Sequence, residues 1–174
     1  RMADFANSFV GHLRGGLAHV AVCSSVMLAG GCGSAVADAS ALGSLLIPAM
    51  REQGYSNRYS SAVIAASAVI VSIIPPSGLF ILYAFIMNES IAAMFAGGII
   101  PGLLIAAALM TTIALRAPGQ NLPVSGQKPS IKEIVRTGKR AFLPLMTPVI
   151  LIGGIVGGFF TPTEAAAIAA FYSM

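Results

Sequence analysis

The longest run of the sequence without Asp, Glu, Lys or Arg contains residues 59–87, which read YSSAVIAASAVIVSIIPPSGLFILYAFIM. This apolar run exceeds the about 20 residues that a helix needs to span a membrane, but Pro75 and Pro76 interrupt it. Because proline has no N–H, the two prolines deprive the carbonyl oxygens of Val71 and Ser72 of their helical hydrogen-bond donors. In lipid such oxygens need another partner, so the pattern predicts a broken spanning helix.

The oxygen atoms around this break are candidate ligands for an ion or a substrate. Ser72 and Ser77 add hydroxyl groups to the two free carbonyl groups, and Ser77 can also cap the second half of the helix. Hard cations such as sodium take oxygen ligands. Ion or substrate binding is one interpretation; the alternative is a structural kink whose carbonyl groups bond to a neighbouring hydroxyl group or to water.

The composition indicates that lipid is the solvent for most of the chain. Hydrophobic residues make up 56% of the 174 residues and charged residues only 9%, whereas soluble domains carry about 25% charged residues. The net charge of +4 does not indicate nucleic-acid binding, because the basic residues form no face with interleaved aromatic side chains. Six of the ten Lys and Arg residues fall within residues 116–140, which the positive-inside rule predicts to be cytoplasmic.

Two shorter apolar runs, residues 15–31 and 35–50, precede the broken helix. Each has about 16 residues, fewer than the about 20 that a full span needs. The segment between them, residues 30–34, is rich in glycine and favours a turn. Arg14 and Arg51 flank the pair, so both ends lie on one side of the membrane. The short length of the two runs favours a re-entrant hairpin, although two short membrane spans would also place both flanking arginines on one side.

The tip of this hairpin is the second candidate binding site. A helix that begins at Ser34 presents free backbone N–H groups and the positive end of its dipole, which attract anions. Asp38 follows four residues later on the same helix face, and a charged side chain at membrane depth costs about 2.5–3.5 kcal/mol on insertion scales. We interpret both residues as functional; the alternative is that Ser34 only caps the helix and Asp38 complements its dipole. Secondary transporters combine such a tip with a broken helix at the midplane.

The whole pattern predicts an all-α, polytopic membrane protein with a re-entrant hairpin and a discontinuous helix. We divide the chain into a hairpin region, a broken helix with the next span, a cytoplasmic linker, and the start of a second inverted repeat, at residues 1–58, 59–116, 117–140 and 141–174. Ser130 and Glu133 form a capping-box pattern that predicts a short interfacial helix in the linker, or else a plain loop. Thr161 and Glu164 form another, which opens the last helix. Both ends look cut, so we expect a piece of a longer protein.

Several motifs, in chain order, resemble those of the large permease subunits of tripartite ATP-independent periplasmic (TRAP) transporters, the DctM-like family. The motifs that carry the resemblance are Arg14-Gly15-Gly16-Leu17-Ala18-His19-Val20, Gly33-Ser34-Ala35-Val36-Ala37-Asp38-Ala39, Ile73-Ile74-Pro75-Pro76-Ser77 and Phe160-Thr161-Pro162-Thr163-Glu164-Ala165-Ala166. Three places depart from the family pattern. Cys32 replaces a serine, Ala21 replaces an asparagine, and Val71-Ser72 replaces Gly-Pro.

The resemblance implies part of a sodium-driven elevator transporter of the bacterial inner membrane, which imports an organic acid such as a C4-dicarboxylate or a sialic acid. It also implies two protein partners, a small membrane (Q) subunit and a periplasmic solute-binding (P) protein, and no cofactor beyond the coupling ion. Carried onto this sequence, the sodium ligands would come from Gly31, Gly33, Ser34, Val71, Ser72 and Ser77. The substrate would contact Ser34, Asp38 and Ser77.

Other functions stay open at this stage. A different sodium-coupled elevator transporter for dicarboxylates or other anions would share the hairpin and the break. An intramembrane serine hydrolase would need Ser34 to meet His12 or His19, which a half-helix separates from the tip. A non-catalytic assembly subunit would require a native chain of this length. We expect a transporter and not an enzyme.

Overall fold

The computed structural model describes residues 2–118 and 131–173, and these residues form eight α-helices and no β-strand. The all-α prediction is thereby confirmed for this part of the chain. The helices are α1 (Met2–Val10), α2 (Gly16–Cys32), α3 (Ala35–Glu52), α4 (Asn57–Ile73), α5 (Gly78–Met87), α6 (Ile91–Arg116), α7 (Ile131–Val156) and α8 (Pro162–Ser173).

Two stretches are long and apolar enough to cross a membrane. They are Asn57–Met87, with 31 residues, and Ile91–Arg116, with 26 residues. Large apolar side chains on their surfaces are exposed, such as Phe85 at 80% and Leu104 at 65%. Such a surface suits a lipid environment better than water. Pro101 lies inside α6 without ending it.

A two-residue connection joins α2 to α3, and the two helices contact each other. Gly33 ends α2 in the left-handed region, with φ of 59°. Ser34 is the N-cap of α3, and its hydroxyl oxygen accepts a hydrogen bond from the Ala37 N–H at 3.4 Å. Glycine is the preferred residue for a left-handed helix end, and serine is a preferred N-cap residue.

The helix that follows the hairpin is broken where the two prolines predict. α4 ends at Ile73 and α5 begins at Gly78, with Ser77 at the N-cap position. α5 then starts with a hydrogen bond from the Ile81 N–H to the Ser77 carbonyl oxygen at 3.2 Å. Residues 74–77 therefore form a non-helical joint between two half-helices.

The core lies around α2, which contacts α1, α3, α4, α6 and α7. Small buried residues on α2, including Ala18, Ala21 and Ala29, let these neighbours approach closely. α6 closes on the joint itself, because a Cβ atom added to Gly98 would lie 2.7 Å from the carbonyl oxygen of Ile73 and would also meet the Phe80 ring. The hairpin, the broken helix and α6 therefore form one packed unit.

The C-terminal helices differ in how well the sequence predicts them. α7 is a single helix from Ile131 through Val156, longer than the short linker helix that we expected. The change from polar to apolar sequence does not interrupt the helix, which continues through Gly138, Pro144 and Pro148. The N-cap candidate Ser130 lies outside the described residues. The capping box of α8 is confirmed, since Thr161 N–H donates to Glu164 Oε2 at 2.8 Å and Glu164 N–H donates to Thr161 Oγ1 at 3.3 Å.

Candidate functional site

The backbone of the hairpin tip lies against the joint in the broken helix. A Cβ atom added to Gly33 would lie 3.0 Å from the Pro76 carbonyl oxygen and 3.6 Å from the Gly78 backbone nitrogen. This close approach and the left-handed dihedral both favour glycine. Gly31 is exposed, and no atom lies within 4 Å of a Cβ added there. The structure thus brings together the two elements that the sequence selects as candidate sites.

The joint leaves backbone oxygens without helical partners. α4 ends at Ile73, and the residues that would continue its hydrogen-bond ladder are Pro75 and Pro76. Proline has no N–H to donate to the carbonyl oxygens of Val71 and Ser72. The Val71 side chain is fully buried and the Ser72 side chain is half-buried. A cation or another donor is needed to satisfy these oxygens at membrane depth.

The two predicted serines of the site differ in their surroundings. Ser77 is completely buried, and its hydroxyl oxygen has no hydrogen-bond partner among the described residues. The Ser77 side chain does not cap α5, contrary to our expectation. Ser34 is exposed and caps α3. A buried hydroxyl group without a partner costs free energy, so Ser77 is the stronger candidate for contact with a ligand.

Two helix N-termini meet at the same place. α3 begins just after Ser34, and α5 begins at Gly78, whose backbone nitrogen faces the Gly33 position. The first N–H groups of a helix have no partner within the helix, and the helix dipole adds positive potential there. The arrangement can therefore attract a carboxylate group to the region where the free carbonyl oxygens can hold a cation.

Asp38 is buried inside the hairpin, with 2% of its surface exposed. Its Oδ2 atom accepts a hydrogen bond of 2.7 Å from the Ser25 hydroxyl group on α2. Its Oδ1 atom has no partner among the described residues. Asp38 is thus paired across the hairpin and not with Ser34, which the sequence places on the same helix face. Ser25 is the residue that sequence reasoning missed.

The described histidines do not support a serine hydrolase. His19 is buried, and its Nδ1 atom lies 3.2 Å from the Gly15 carbonyl oxygen. The Ser34 hydroxyl oxygen accepts a hydrogen bond from the Ala37 N–H. In residues 2–118 and 131–173 no hydrogen bond joins Ser34 to His12 or His19, which agrees with the separation predicted from the sequence.

The donor atoms at the tip and the joint are those that a hard cation prefers. Within the described part of the chain no three His, Cys, Asp or Glu side chains are grouped as metal ligands. The available atoms are carbonyl and hydroxyl oxygens, which sodium and similar ions take. The residues present therefore fit a coupling ion held mainly by backbone groups.

The chain belongs to the family described as "Tripartite ATP-independent periplasmic transporter, DctM component", whose sequence pattern matches residues 1–174. The TRAP resemblance drawn from the motifs is thereby confirmed. This family consists of membrane-embedded transporters and not of enzymes.

Curated relatives are similar over the full length of the chain. The chain is 42% identical to the sialic acid TRAP transporter large permease protein SiaM of Vibrio cholerae, covering 100% of this chain and 40% of that protein. It is 41% identical to the 2,3-diketo-L-gulonate TRAP transporter large permease protein YiaN of Escherichia coli, covering 100% of this chain and 41% of that protein. It is 39% identical to the C4-dicarboxylate TRAP transporter large permease protein DctM of Pseudomonas aeruginosa, covering 99% of this chain and 40% of that protein. The chain therefore spans about two fifths of the length of these relatives.

Proposed function

We propose that the complete protein is the large permease subunit of a sodium-coupled importer of an organic acid. The observation that carries this proposal is the contact between Gly33 at the hairpin tip and Pro76 at the joint. It places free carbonyl oxygens and two helix N-termini side by side. In membrane proteins, irregular backbone of this kind is tolerated where it lines a site or is buried in protein.

The sodium ion would bind between the tip and the joint. Carbonyl oxygens of Val71 and Ser72 lack helical donors, and the Ser77 hydroxyl group is buried without a partner in the described structure. Gly31, Gly33 and Ser34 would supply the ligands from the hairpin side. A sodium ion that joins the two elements would stabilise their contact, and this would couple ion binding to the position of the tip.

The substrate would be an anionic organic acid. The names of the relatives specify sialic acid, 2,3-diketo-L-gulonate and C4-dicarboxylates, all of which carry a carboxylate group. In our proposal Ser34, Ser77 and the free N–H groups of α3 and α5 bind this carboxylate. Asp38 is buried inside the hairpin, so in our proposal its negative charge acts on the bound substrate from behind the tip and without direct contact.

Membership of the family supports a proposal for the partners and the location. We propose a small membrane subunit, a periplasmic solute-binding protein, and placement in the bacterial inner membrane. The hairpin would be re-entrant and would move with the broken helix in an elevator mechanism. Arg14, Arg51, Arg58 and Arg116 would face the cytoplasm, because the positive-inside rule places basic loops on that side.

Two glycine variants of the full-length transporter test the proposal, in liposomes with its partners. Gly33→Ala places a methyl group against Pro76, whereas Gly54→Ala is a matched control. Gly54 also has a positive φ, 87°, but no atom lies within 4 Å of a Cβ added there. Both variants thus place alanine at a positive φ, and only Gly33→Ala disturbs the contact.

We expect Gly33→Ala to reduce sodium-driven uptake at least tenfold, which corresponds to about 1.4 kcal/mol, and to weaken the dependence of uptake on sodium concentration. Gly54→Ala should lower stability without changing the sodium dependence. Sodium activation that is the same in both variants would show that the tip and the joint do not form the ion site.

A further inference from the structure

A narrow groove runs between α4 and α6, away from the hairpin tip. Its volume is about 210 Å³. Its apolar walls include Ala62, Ala66, Leu109 and Ile113. Ala62 and Ala66 are one helical turn apart and lie on the same face of α4, so their small side chains leave the space open.

Two polar side chains along this groove, Ser67 and Thr112, are already satisfied by their own helices. The Ser67 hydroxyl group donates to the Val63 carbonyl oxygen at 2.7 Å, and the Thr112 hydroxyl group donates to the Ala108 carbonyl oxygen at 2.8 Å. Neither needs a polar ligand. The walls are therefore suited to a hydrocarbon chain.

One end of the groove is cationic. Arg116, in the last turn of α6, lines the groove and is exposed. Tyr59 lines the same groove, and its buried hydroxyl group has no hydrogen-bond partner among the described residues. The Tyr59 ring is held by stacking on Tyr55, with 6.1 Å between ring centroids. The groove thus pairs an apolar slot with a guanidinium group and a tyrosine at its mouth.

We propose that this groove binds an anionic phospholipid, with an acyl chain between α4 and α6 and the phosphate group at Arg116. The occupant is assigned by charge complementarity, because a guanidinium group binds phosphate oxygens in pairs. Basic pockets between helices on the cytoplasmic side have this chemistry, and tyrosine is common at the membrane interface.

The groove is separate from the candidate ion site. Tyr59 lies 14 residues before Ile73 on α4, which corresponds to about 21 Å along a helix axis. A small organic acid would also leave the apolar walls without a partner. Lipid binding can therefore be tested without any assumption about transport.

The test uses the purified full-length protein, loaded with phosphatidylglycerol or phosphatidylcholine and examined by native mass spectrometry. We expect the wild type to retain phosphatidylglycerol in preference. Arg116→Gln should lower this preference about fivefold, as for the loss of one cationic contact with a lipid headgroup. Ala66→Phe should fill the groove and reduce retention of both lipids.

Arg51→Gln is the matched control, because Arg51 lies near the same end of the bundle but lines a different depression. It should keep the preference of the wild type, whereas Arg116→Lys, which keeps the charge but not the paired hydrogen bonds, should keep part of it. The proposal fails if Arg116→Gln and Arg51→Gln behave alike, as they would if the rest of the protein covered the groove. It also fails if inorganic phosphate displaces the lipid as readily as phosphatidylglycerol does.

Discussion

Two neighbouring serines on α2 differ in one respect, although both are fully buried. Ser25 donates a hydrogen bond to Asp38, whereas the Ser24 hydroxyl group has no partner among the described residues. Hydrogen bonds to charged groups contribute about 1.5–3 kcal/mol in proteins. In membrane proteins, hydrogen bonds between helices average about 0.6 kcal/mol. Comparing the two serines therefore separates the contribution of the hydrogen bond from the contribution of burying a serine side chain.

Ser25→Ala should destabilise the full-length protein by about 1–2 kcal/mol, because it leaves the Asp38 carboxyl group buried without its donor. Ser24→Ala removes a hydroxyl group that already lacks a partner, so we expect a change near zero. The measurement is the midpoint of thermal unfolding in detergent. Equal midpoints in the two variants would contradict the importance of the Ser25–Asp38 bond.

The pairing of Ser25 with Asp38 could not be predicted from the local pattern. Sequence reasoning compares residues within one helix, and it therefore associates Asp38 with Ser34. The two partners are 13 residues apart and belong to different helices. They become neighbours because a short connection folds α3 back on α2. Counting equal distances on both sides of that connection would not have suggested Ser25 either, because Ser25 lies eight residues before Gly33 and Asp38 lies four residues after Ser34.

At the scale of elements, the joint between α4 and α5 depends on its two prolines. Replacing both with alanine restores N–H groups that can donate to the carbonyl oxygens of Val71 and Ser72. We expect Pro75→Ala with Pro76→Ala to join the half-helices and to abolish sodium-driven uptake. Uptake of a labelled substrate into liposomes, at equal protein content, measures the effect.

Pro101→Ala is the control for this double variant. Pro101 lies within α6, and the helix continues through it. Its replacement should raise helix stability slightly and preserve uptake. A double-proline variant as active as Pro101→Ala would mean that the joint is only a structural kink.

The helix ends were predictable where local chemistry determines them. Gly33, the Pro75-Pro76 pair and the Thr161–Glu164 capping box each act within one turn of the helix that they end or begin. The length of α7 was not predictable in this way, because a change from polar to apolar sequence does not interrupt backbone hydrogen bonds. The placement of Ser77 was also missed, since its burial depends on packing from other elements.

At the scale of the whole molecule, the chain provides one hairpin and one broken helix within a protein whose relatives are about two and a half times as long. We expect the complete transporter to import its substrate only when the solute-binding protein and an inward sodium gradient are both present. Liposome uptake with each component omitted in turn measures this requirement. Uptake without the binding protein would favour another class of elevator transporter.

The glycine at position 98 has a mechanical consequence. At this point α6 packs so closely that a Cβ atom added to Gly98 would lie 2.7 Å from the Ile73 carbonyl oxygen, and a Cβ atom added to Gly33 would lie 3.0 Å from the Pro76 carbonyl oxygen. Backbone contacts this close leave no room for one element to shift sideways against the other. If the broken helix moves as we propose, the hairpin and α6 would move with it, so that a substrate held at the joint would travel with a packed block of the protein.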